Sequence, residues 1–400
     1  MKASKIKKII LETHTNNNKE VFYNYVENNI KFINRKLYNK KILIIGAAGS
    51  IGSAFTKLIT KYNLKEICIV DTNENKTTDL IRNIRFLYPE TKTKFITYCC
   101  NINDNKIINV LKKTCFDYIY NFAALKHVRT ESNISNIKQM IETNVLIINS
   151  LKKIISKNKS SNILMMSTDK AANPENIMGA TKRWMEIKSR ILLNNLNNIK
   201  CVRFGNIVLS DGSYSSYIFK QIINEQTFPV PFGIKRFFYS KVDAASICLI
   251  VSLFGKNKKI YFPNSKNKKT LEIKNIVEII LKKLKFKIKY TIDVKKSKVI
   301  FKKNLKNKIW TCVKSIPDTT GEKSEEIFYT KKEIISYDFN NLLAYSEIPE
   351  YSGNFQLNEK NLLKIMKSQN LTKTKFLTHL TRLIKTFSYV EKNKSLNNKF

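Results

Sequence analysis

The sequence of 400 residues is poor in the residues that build metal sites and disulfide frameworks. It contains three histidines and seven cysteines, and no two cysteines stand in a C-x-x-C pair. Zinc sites need clustered histidine and cysteine ligands, so we expect no bound metal. Because the cysteines lie mostly in apolar, strand-like segments, we expect free thiols in a reducing compartment, the cytoplasm.

Long apolar runs are absent as well. The longest is Ala244 to Phe254, which falls well short of the roughly 20 residues that cross a bilayer. The basic N-terminus also lacks an apolar run of signal-peptide length. We therefore expect no membrane span.

Acidic residues and arginine are scarce too, with 31 Asp and Glu against 72 Lys and Arg, of which only nine are Arg. The formal net charge of +41 suggests a nucleic-acid partner, since a clustered basic face releases counterions from phosphate. The lysines, however, are scattered among abundant Asn and Ile, and all three residues have AT-rich codons. We therefore favour mutational bias and expect no nucleic-acid partner. Attraction to anionic lipid or to acidic nucleotide substrates is a weaker hypothesis.

Four regions follow one another along the chain. Residues 1–40 are polar with helical spacing and are predicted to form an N-terminal helical extension. Residues 41–210 are predicted to form a nucleotide-binding domain. The pattern turns irregular over residues 211–340, which we interpret as a smaller substrate-binding region. Residues 341–400, rich in Lys and Asn, are predicted to form a C-terminal helical tail.

Short apolar runs alternate with helical stretches in the nucleotide-binding domain. The runs are Ile42–Ile45, Ile67–Val70, Phe95–Cys99, Tyr118–Tyr120, Ile163–Met166 and Cys201–Phe204. This alternation is typical of an α/β fold with a doubly wound parallel sheet of the Rossmann type. Right-handed crossovers place the carboxyl ends of such strands at one edge, where ligands bind.

A glycine-rich turn joins the first predicted strand to a helix. Gly46, Gly49 and Gly52 form a G-x-x-G-x-x-G pattern. In this context the glycines allow a tight turn, close approach of a pyrophosphate, and packing of the helix on the strand. Asp71 ends the second strand, where its carboxylate would accept hydrogen bonds from ribose hydroxyls and repel a 2′-phosphate. The pattern therefore favours NAD over NADP as the cofactor.

The run from Ser167 to Lys182 carries most of the candidate chemistry. It reads S-T-D-K-A-A-N-P-E-N-I-M-G-A-T-K. A simple short-chain hydride-transfer enzyme needs Ser, Tyr and Lys, but Met178 stands where the Tyr would be. The adjacent acid and amine at Asp169 and Lys170 suggest proton abstraction at one carbon and proton delivery to a leaving hydroxyl at the next. The run therefore favours a dehydratase over a simple dehydrogenase.

Five segments together carry a family resemblance. They read N-F-A-A-L-K-H-V from Asn121, T-N-V from Thr143, S-T-D-K-A-A-N-P from Ser167, M-G-A-T-K from Met178 and R-F-G-N from Arg203. In combination they resemble the polysaccharide-biosynthesis branch of the extended short-chain dehydrogenase family, the nucleotide-sugar 4,6-dehydratases acting on UDP-N-acetylglucosamine. The resemblance covers residues 40–330 and is to the subgroup with Met, rather than Tyr, in the G-A-T-K motif.

The resemblance implies an NAD-dependent conversion of UDP-N-acetylglucosamine, or a related UDP-N-acetylhexosamine, to a 4-keto-6-deoxy sugar nucleotide for polysaccharide or glycoconjugate synthesis. Asp169 would protonate the leaving C6 hydroxyl, Lys170 would take the C5 proton, and Lys182 would hold the nicotinamide ribose. These roles are opposite to the resting charges of the acid and the amine. The site must therefore raise one pKa and lower the other.

A base for the sugar 4-hydroxyl is less obvious. A thioether does not accept a proton usefully at neutral pH, so Met178 is expected to be a wall of the pocket. We hypothesise that Thr168, with Asp169 or Lys126 nearby, hydrogen-bonds this hydroxyl instead. Ser167 is either a catalytic residue or a group that orients the neighbouring backbone.

The resemblance also implies two sets of binding residues. Cofactor contacts are expected from Gly46, Gly49, Ser50, Ile51, Gly52, Asp71, Asn101, Ala123, Ala124, Lys126, Asn144 and Lys182. Substrate contacts are expected from Lys126, Asn206, Ser210, Arg236 and Glu322. The chain departs from the family where Thr319 and Thr320 replace an Arg-Pro pair, and where Asn101 replaces an adenine-contacting Asp.

Several alternatives remain open. Ketone formation at C4 also permits inversion, so an epimerase of the same family fits the residues, and Met178 with the lost Arg-Pro pair fits a non-catalytic NAD-binding protein. Asp169 could instead cap its own segment, and Asn144 could be a strut between a helix and the site loop. His127 fits a packed histidine as well as a ligand. We expect a homo-oligomer, as is common in the family.

Overall fold

The computed structural model describes most of the chain. The described residues are 2–15, 20–126, 131, 133–156, 161–192, 198–267, 269–316, 321–350, 353–389 and 391. The strands are β1 (Lys41–Ile45), β2 (Glu66–Asp71), β3 (Lys94–Cys99), β4 (Tyr118–Asn121), β5 (Asn162–Thr168), β6 (Asn198–Phe204), β7 (Asn206–Ile207), β8 (Pro229–Pro231), β9 (Lys235–Arg236), β10 (Phe238–Tyr239), β11 (Lys259–Pro263), β12 (Leu271–Glu272), β13 (Lys287–Thr291), β14 (Ile309–Ser315), β15 (Ser336–Asp338) and β16 (Leu343–Glu347). The α-helices are α1 (Ala3–Thr15), α2 (Val21–Asn28), α3 (Ile30–Leu37), α4 (Ser50–Thr60), α5 (Glu74–Leu87), α6 (Asn105–Leu111), α7 (Ile134–Ile141), α8 (Ile147–Ile154), α9 (Ile177–Leu192), α10 (Tyr214–Ile223), α11 (Lys241–Phe254), α12 (Ile273–Lys283), α13 (Val294–Lys306), α14 (Gly353–Met366) and α15 (Lys373–Leu383).

A nine-stranded sheet forms the centre of the molecule, in the order β15-β16-β11-β6-β5-β4-β1-β2-β3. The seven strands β3, β2, β1, β4, β5, β6 and β11, in this order across the sheet, pair in parallel. Strands β16 and β15 add an antiparallel edge beside β11. The prediction of an α/β fold with a doubly wound parallel sheet is confirmed. The strand order reverses between β1 and β4, and ligands bind at such a reversal.

The central strands are apolar because helices cover both faces of a parallel sheet. In β1, Ile42, Leu43 and Ile44 have no exposed surface. In the register of the sheet, Ile45 lies beside both Val70 and Asn121. The loops that follow β1, β2 and β4 therefore emerge side by side at one edge.

A second core lies under the smaller parallel sheet β13-β14-β8. Helix α12 packs there, and so does α1, which buries Ile6 and Ile10. Helices α2 and α3 instead bury Val26 and Ile33 in the core of the central sheet. The N-terminal segment thus contributes to both cores.

A third core joins the C-terminal helices α14 and α15 to α7 and α9. The Trp184 indole and the Lys188 amine of α9 both donate to Glu359 Oε1 of α14, each over 2.7 Å. Further along, the Ser388 backbone N–H donates to the Pro174 carbonyl over 3.0 Å. The C-terminal helices therefore cover the outer face of the helix that carries Met178 and Lys182.

Helix α11 contains the longest apolar run of the sequence. Every residue from Asp243 to Leu253 is buried, and the helix packs against α4 and α2. The run therefore belongs to the core. In the described part of the chain, no helix combines the length and the apolar character needed to cross a membrane.

Candidate active site at the carboxyl edge of the central sheet

The glycine turn after β1 is held so tightly that two of its positions admit only glycine. Gly46 has φ +77°, and a Cβ atom there would lie 2.6 Å from the Ala123 nitrogen. A Cβ atom at Gly52 would lie 2.3 Å from the Gly46 carbonyl oxygen. The turn, the start of α4 and the loop after β4 therefore form one close-packed unit.

The start of α4 offers backbone donors at this turn. Its N-cap residue is Gly49, which has no side chain that could cap the helix. The N–H groups of Ser50, Ile51 and Gly52 therefore lack the side-chain acceptor that caps many helices. Free N–H groups and the positive end of a helix favour an anion, so the turn fits the pyrophosphate of a dinucleotide.

Asp71 fixes this turn from the neighbouring strand. Its Oδ2 accepts from the Ala48 N–H over 2.8 Å, and its Oδ1 accepts from the Asn73 N–H over 2.9 Å. Asp71 therefore orients the turn and keeps its remaining lone pairs for another donor. Asn101 lies exposed just beyond β3, where its Oδ1 accepts from the Asn103 N–H over 3.0 Å.

The turn after β7 reaches over to the glycine turn. The Asp211 N–H donates to Ser50 Oγ over 2.9 Å, and the Asp211 carboxylate pairs with Lys76. Ser210 is buried beside it, and Gly212 has φ +68°. This arrangement brings a predicted substrate residue next to a predicted cofactor residue, with Asp211 as a link that we did not predict.

The loop after β4 contains Ala123, Ala124 and Lys126, and Asn144 braces it. The Asn144 amide accepts from the Leu125 N–H over 2.9 Å and donates to the Leu125 carbonyl over 3.0 Å. It also donates to Thr181 Oγ1 on α9 over 3.0 Å. Asn144 thus connects this loop to α9. His127 lies outside the described residues.

Thr168, Asp169 and Lys170 lie where β5 ends and a short 3₁₀ turn begins. The Lys170 Nζ atom is 3.0 Å from Asp169 Oδ1, and Thr168 Oγ1 donates to the same oxygen over 2.8 Å. Asp169 is 1% exposed, and its Oδ2 has no hydrogen-bond partner in the described part of the chain. A buried carboxylate oxygen without a partner is costly and is characteristic of a reactive site.

Glu326 is a third member of this cluster, and we did not assign it a role from the sequence. It is 2% exposed, and its Oε1 lies 3.6 Å from Lys170 Nζ. Its Oε2 has no hydrogen-bond partner among the described residues, although Lys323 Nζ lies 3.8 Å away. The available signal was the segment Gly321-Glu-Lys323-x-Glu-Glu326, which resembles a family motif.

The charges of this cluster shift the pKa values of Lys170 and Glu326. Burial favours the neutral amine of Lys170, but the charges of Asp169 and Glu326 outweigh burial and raise the pKa of Lys170. Burial and the nearby Asp169 raise the pKa of Glu326, against the opposing charge of Lys170. Two carboxyl groups therefore compete for one amine in a nearly dry site.

Ser167 points away from this cluster and into a second buried network. Its hydroxyl donates to Glu186 Oε1 over 2.6 Å. Arg203 donates to both oxygens of Glu186, each over 2.8 Å, and also pairs with Glu333. Arg183 joins the same two carboxylates. Side chains alternate along a strand, so Ser167 and Thr168 face opposite sides of the sheet.

Lys182 and Met178 lie one helical turn apart on α9. The Lys182 amine is buried and donates to the Met166 carbonyl over 2.9 Å. Burial lowers the pKa of Lys182 to about 8. Met178 is 5% exposed in the third core, and its N–H donates to Glu131 Oε1 over 2.8 Å. Met178 therefore forms an apolar wall with no proton-accepting group.

Arg236 holds the Gly321–Glu326 segment in place. Its guanidinium donates to the carbonyls of Lys323 over 2.8 Å and Ser324 over 3.1 Å. A Cβ atom at Gly321 would lie 2.7 Å from Asn176 Cβ, so this segment also packs on the loop that precedes α9, within the Ser167–Lys182 run. Glu322 is half-buried in this segment. Asn206 is half-buried in β7, and the departures at residues 319 and 320 lie outside the described residues.

The fold and this edge together define a Rossmann-type protein with a dinucleotide turn beside a buried acid-amine cluster. A family model described as "Polysaccharide biosynthesis protein" matches residues 42–341. The match spans most of the chain, from the start of the central sheet to its antiparallel edge. The chain belongs to the polysaccharide biosynthesis protein family.

Named relatives include two kinds of protein. The capsular polysaccharide biosynthesis protein CapD of Staphylococcus aureus is 29% identical over 242 residues, which are 59% of this chain and 40% of that protein. A UDP-glucose 4-epimerase of Rickettsia akari is 29% identical over 371 residues, which are 88% of this chain and 97% of that protein. The chain thus spans less than half the length of the CapD protein.

A solved structure has the same fold. DesIV of Streptomyces venezuelae, a dTDP-glucose 4,6-dehydratase with NAD and TYD bound, superposes with a TM-score of 0.52 at 16% identity. The superposition covers 72% of this chain and 87% of DesIV. At this identity the likeness establishes the fold alone.

Proposed function

We propose that the protein is an NAD-dependent nucleotide-sugar 4,6-dehydratase that converts UDP-N-acetylglucosamine, or a related UDP-N-acetylhexosamine, to a 4-keto-6-deoxy sugar nucleotide. The observation that carries the proposal is the buried cluster of Asp169, Lys170 and Glu326 beside the dinucleotide turn. Family membership supports a role in polysaccharide synthesis. The NAD-bound DesIV structure supports the choice of cofactor.

The residues around the glycine turn fit NAD. The N–H groups of Ser50, Ile51 and Gly52 would hold its pyrophosphate, and Asp71 would accept from the adenosine ribose. Lys182 lies one turn after Met178 and would hold the nicotinamide ribose. NAD, when bound there, would supply reversible hydride transfer, and the ketone formed at C4 of the sugar would make the C5 proton acidic.

The cluster can supply both the base and the acid that elimination of water requires. Transfer of one proton across the 3.0 Å contact from Lys170 to Asp169 gives a neutral amine and a neutral carboxyl. The neutral amine takes the proton from C5, and the neutral carboxyl gives its proton to the hydroxyl that leaves C6. The negative charge of Glu326 holds the proton on Lys170 until substrate binds, and so sets the cost of this transfer.

Thr168 offers a route for the proton of the sugar 4-hydroxyl. Its Oγ1 already donates to Asp169 Oδ1, so it can accept from the 4-hydroxyl and stay connected to a carboxylate. We expect Thr168→Val to lower turnover, whereas Thr168→Ser, which keeps the hydroxyl, should restore it. Unchanged turnover of Thr168→Val would remove Thr168 from the mechanism.

The main experiment is mass spectrometry of products from a panel of UDP-sugars. With UDP-N-acetylglucosamine we expect a product that has lost one water. Lys170→Ala should lose this activity, and Lys106→Ala, which removes an exposed lysine of α6, should keep it. Wild-type protein that yields no water loss with any UDP-sugar would overturn the dehydratase proposal.

A UDP-sugar epimerase is the second candidate, favoured by the Rickettsia relative that aligns over nearly its whole length. An epimerase product has the mass of the substrate and an inverted carbon, which the same assay combined with NMR detects. A third candidate, a non-catalytic NAD-binding protein, would bind NAD tightly and turn over none of these sugars.

A further inference from the structure

A strongly basic surface lies around β13, α13 and the turns beside them, and contains none of the residues assigned to the candidate active site. We define it as residues 282–308, which contain one acidic residue, Asp293. Its lysines are Lys282, Lys283, Lys285, Lys287, Lys289, Lys295, Lys296, Lys298, Lys302, Lys303, Lys306 and Lys308. Positive charge is therefore concentrated here far beyond the average of the chain, and uniform mutational bias does not account for that concentration.

The lysines of the basic surface are exposed and lack acidic partners. All twelve are exposed to solvent, and none forms an ion pair with a carboxylate in the described part of the chain. Some lysines elsewhere do pair, since Lys170 and Lys188 each lie beside a glutamate. The dense positive charge of this surface is therefore uncompensated.

Helix α13 arranges the charge on one side. Its Ser297 and Phe301 are buried against the domain. Its outer side carries Lys295, Lys298, Lys302 and Lys306, spaced three or four residues apart along one helical face. Like charges at this spacing destabilise a helix by themselves. An anionic partner removes that repulsion.

Two apolar side chains lie among these lysines. Val299, at the centre of the outer side of α13, is 79% exposed, and Ile292, in the turn before α13, is 84% exposed. Lysine stems also cover apolar surface while their amines remain in water. Basic charge around exposed aliphatic side chains is the pattern of a surface that lies on a membrane interface.

The composition of the surface disfavours a nucleic acid. Residues 282–308 contain no arginine, the residue that binds phosphate and bases through a planar fork. The aromatic residues Phe286, Tyr290 and Phe301 are half-buried or buried and offer no stacking platform. We propose that the basic surface binds the anionic headgroups of a phospholipid bilayer and so holds the protein at a membrane surface. This binding is independent of the reaction proposed above.

Vesicle co-sedimentation of the whole protein tests the proposal. We expect binding to vesicles of phosphatidylcholine with one third phosphatidylglycerol, and none to vesicles of phosphatidylcholine alone. Added salt should weaken the binding because exposed charges are screened. Equal binding to both vesicles, or binding to neither, would overturn the proposal.

A pair of charge-matched variants locates the effect. The surface variant replaces Lys295, Lys298, Lys302 and Lys306 with Gln, and the control variant replaces Lys106, Lys112, Lys113 and Lys152 with Gln. Both lose four exposed lysines, so their net charges are equal. Each lysine near an anionic leaflet contributes about fivefold, so loss of four lysines should lower the partitioning of the surface variant by roughly several hundredfold, and that of the control little. Equal losses would assign the binding to net charge and overturn the proposal.

Two further arms complete the test. Ile292→Ser with Val299→Ser should weaken vesicle binding severalfold and keep its dependence on phosphatidylglycerol. Duplex DNA should bind the surface and control variants alike, because its attraction reflects net charge. A DNA affinity that falls only in the surface variant would make this a nucleic-acid site instead. Circular dichroism and thermal melting confirm that every variant is folded.

Discussion

Two buried charged clusters flank the end of β5, and they differ in how completely their oxygens are paired. On one side, Glu186 and Glu333 accept from Arg203 and Arg183, and Ser167 completes the network. On the other side, Asp169 and Glu326 each keep a buried oxygen without a hydrogen-bond partner in the described chain. The two clusters lie on opposite sides of the sheet at the end of β5.

This difference distinguishes a structural network from a reactive one. A fully bonded carboxylate cannot take or give a proton without losing a partner, so the Arg203 network holds the sheet and α9 together. A buried oxygen without a partner costs stability, and a proton or a substrate hydroxyl relieves that cost. We therefore propose Asp169 and Glu326 as groups available for chemistry.

The largest expected effect is the loss of the proposed activity when a residue of the Asp169–Lys170–Glu326 cluster is substituted. Lys170→Ala or Asp169→Asn should reduce formation of the dehydrated product by about 10²- to 10⁴-fold, because each removes a proton-transfer group. Product formation is followed by mass spectrometry, and urea unfolding checks that the fold is kept. Full activity of either variant would assign the cluster a structural role.

The structural network should respond in the opposite way. Arg203→Leu leaves the carboxylates of Glu186 and Glu333 buried without their main counter-charge, which should cost about 3–5 kcal/mol of unfolding free energy. Glu12→Gln, which removes an exposed pair with Lys8, should cost less than about 0.5 kcal/mol. Urea unfolding measures both. A small effect of Arg203→Leu would show that the paired network is not what stabilises this face.

A smaller effect is expected on the pH–rate profile, which should respond to substitution of Glu326 but not of its neighbour Glu325. Glu326→Gln removes a negative charge that raises the pKa of Lys170. The Lys170–Asp169 pair should then lose its shared proton at lower pH, so the alkaline fall of the pH–rate profile should shift to lower pH, with a change in rate of about tenfold. Glu325 is exposed, and Glu325→Gln should leave the profile in place. Identical profiles for the two variants would exclude Glu326 from the cluster.

The last prediction compares two buried lysines. Burial lowers the pKa of both Lys182 and Lys200 to about 8. Between about pH 8 and pH 10.5 the folded protein releases these protons while the unfolded chain keeps them, so each lysine makes stability rise with pH in this window. Relative to Lys182→Met or Lys200→Met, wild type should therefore gain about 2 kcal/mol from pH 8 to pH 10 in urea unfolding. Only Lys182→Met should lose activity, because Lys200 lies outside the site. If the difference in unfolding free energy between wild type and either variant did not change with pH, the lowered pKa values would be contradicted.

Local patterns were sufficient for much of the fold. Apolar runs of strand length, each followed by a helical stretch, predicted β1 to β6, and the glycine spacing with Asp71 predicted the dinucleotide turn. These features depend on neighbours in sequence, because strand burial and turn geometry are decided within a few residues. The same holds for Asp169 and Lys170, whose adjacency in the chain keeps their charges close.

Long-range pairings were not predictable in this way. Glu326 reaches Lys170 across more than 150 residues, and Arg203 finds its second carboxylate at Glu333. No periodicity links such positions, and a buried glutamate has the same letter as a solvated one. The contacts of the Ser167 side chain were also not predictable, because the direction of a strand side chain depends on which face of the sheet the helices cover.

The sequence alone determined the alternating architecture, the glycine turn and the close contact of one acid with one amine, because each is set by local sterics and hydrophobic spacing. Tertiary structure alone decided which charged groups are fully paired and which are left with a free oxygen, because that depends on the segments that fold over the end of β5. The same holds for the basic surface. The sequence shows the lysines, but only the packing of α13 on β13 and β14 places them outward and without acidic partners.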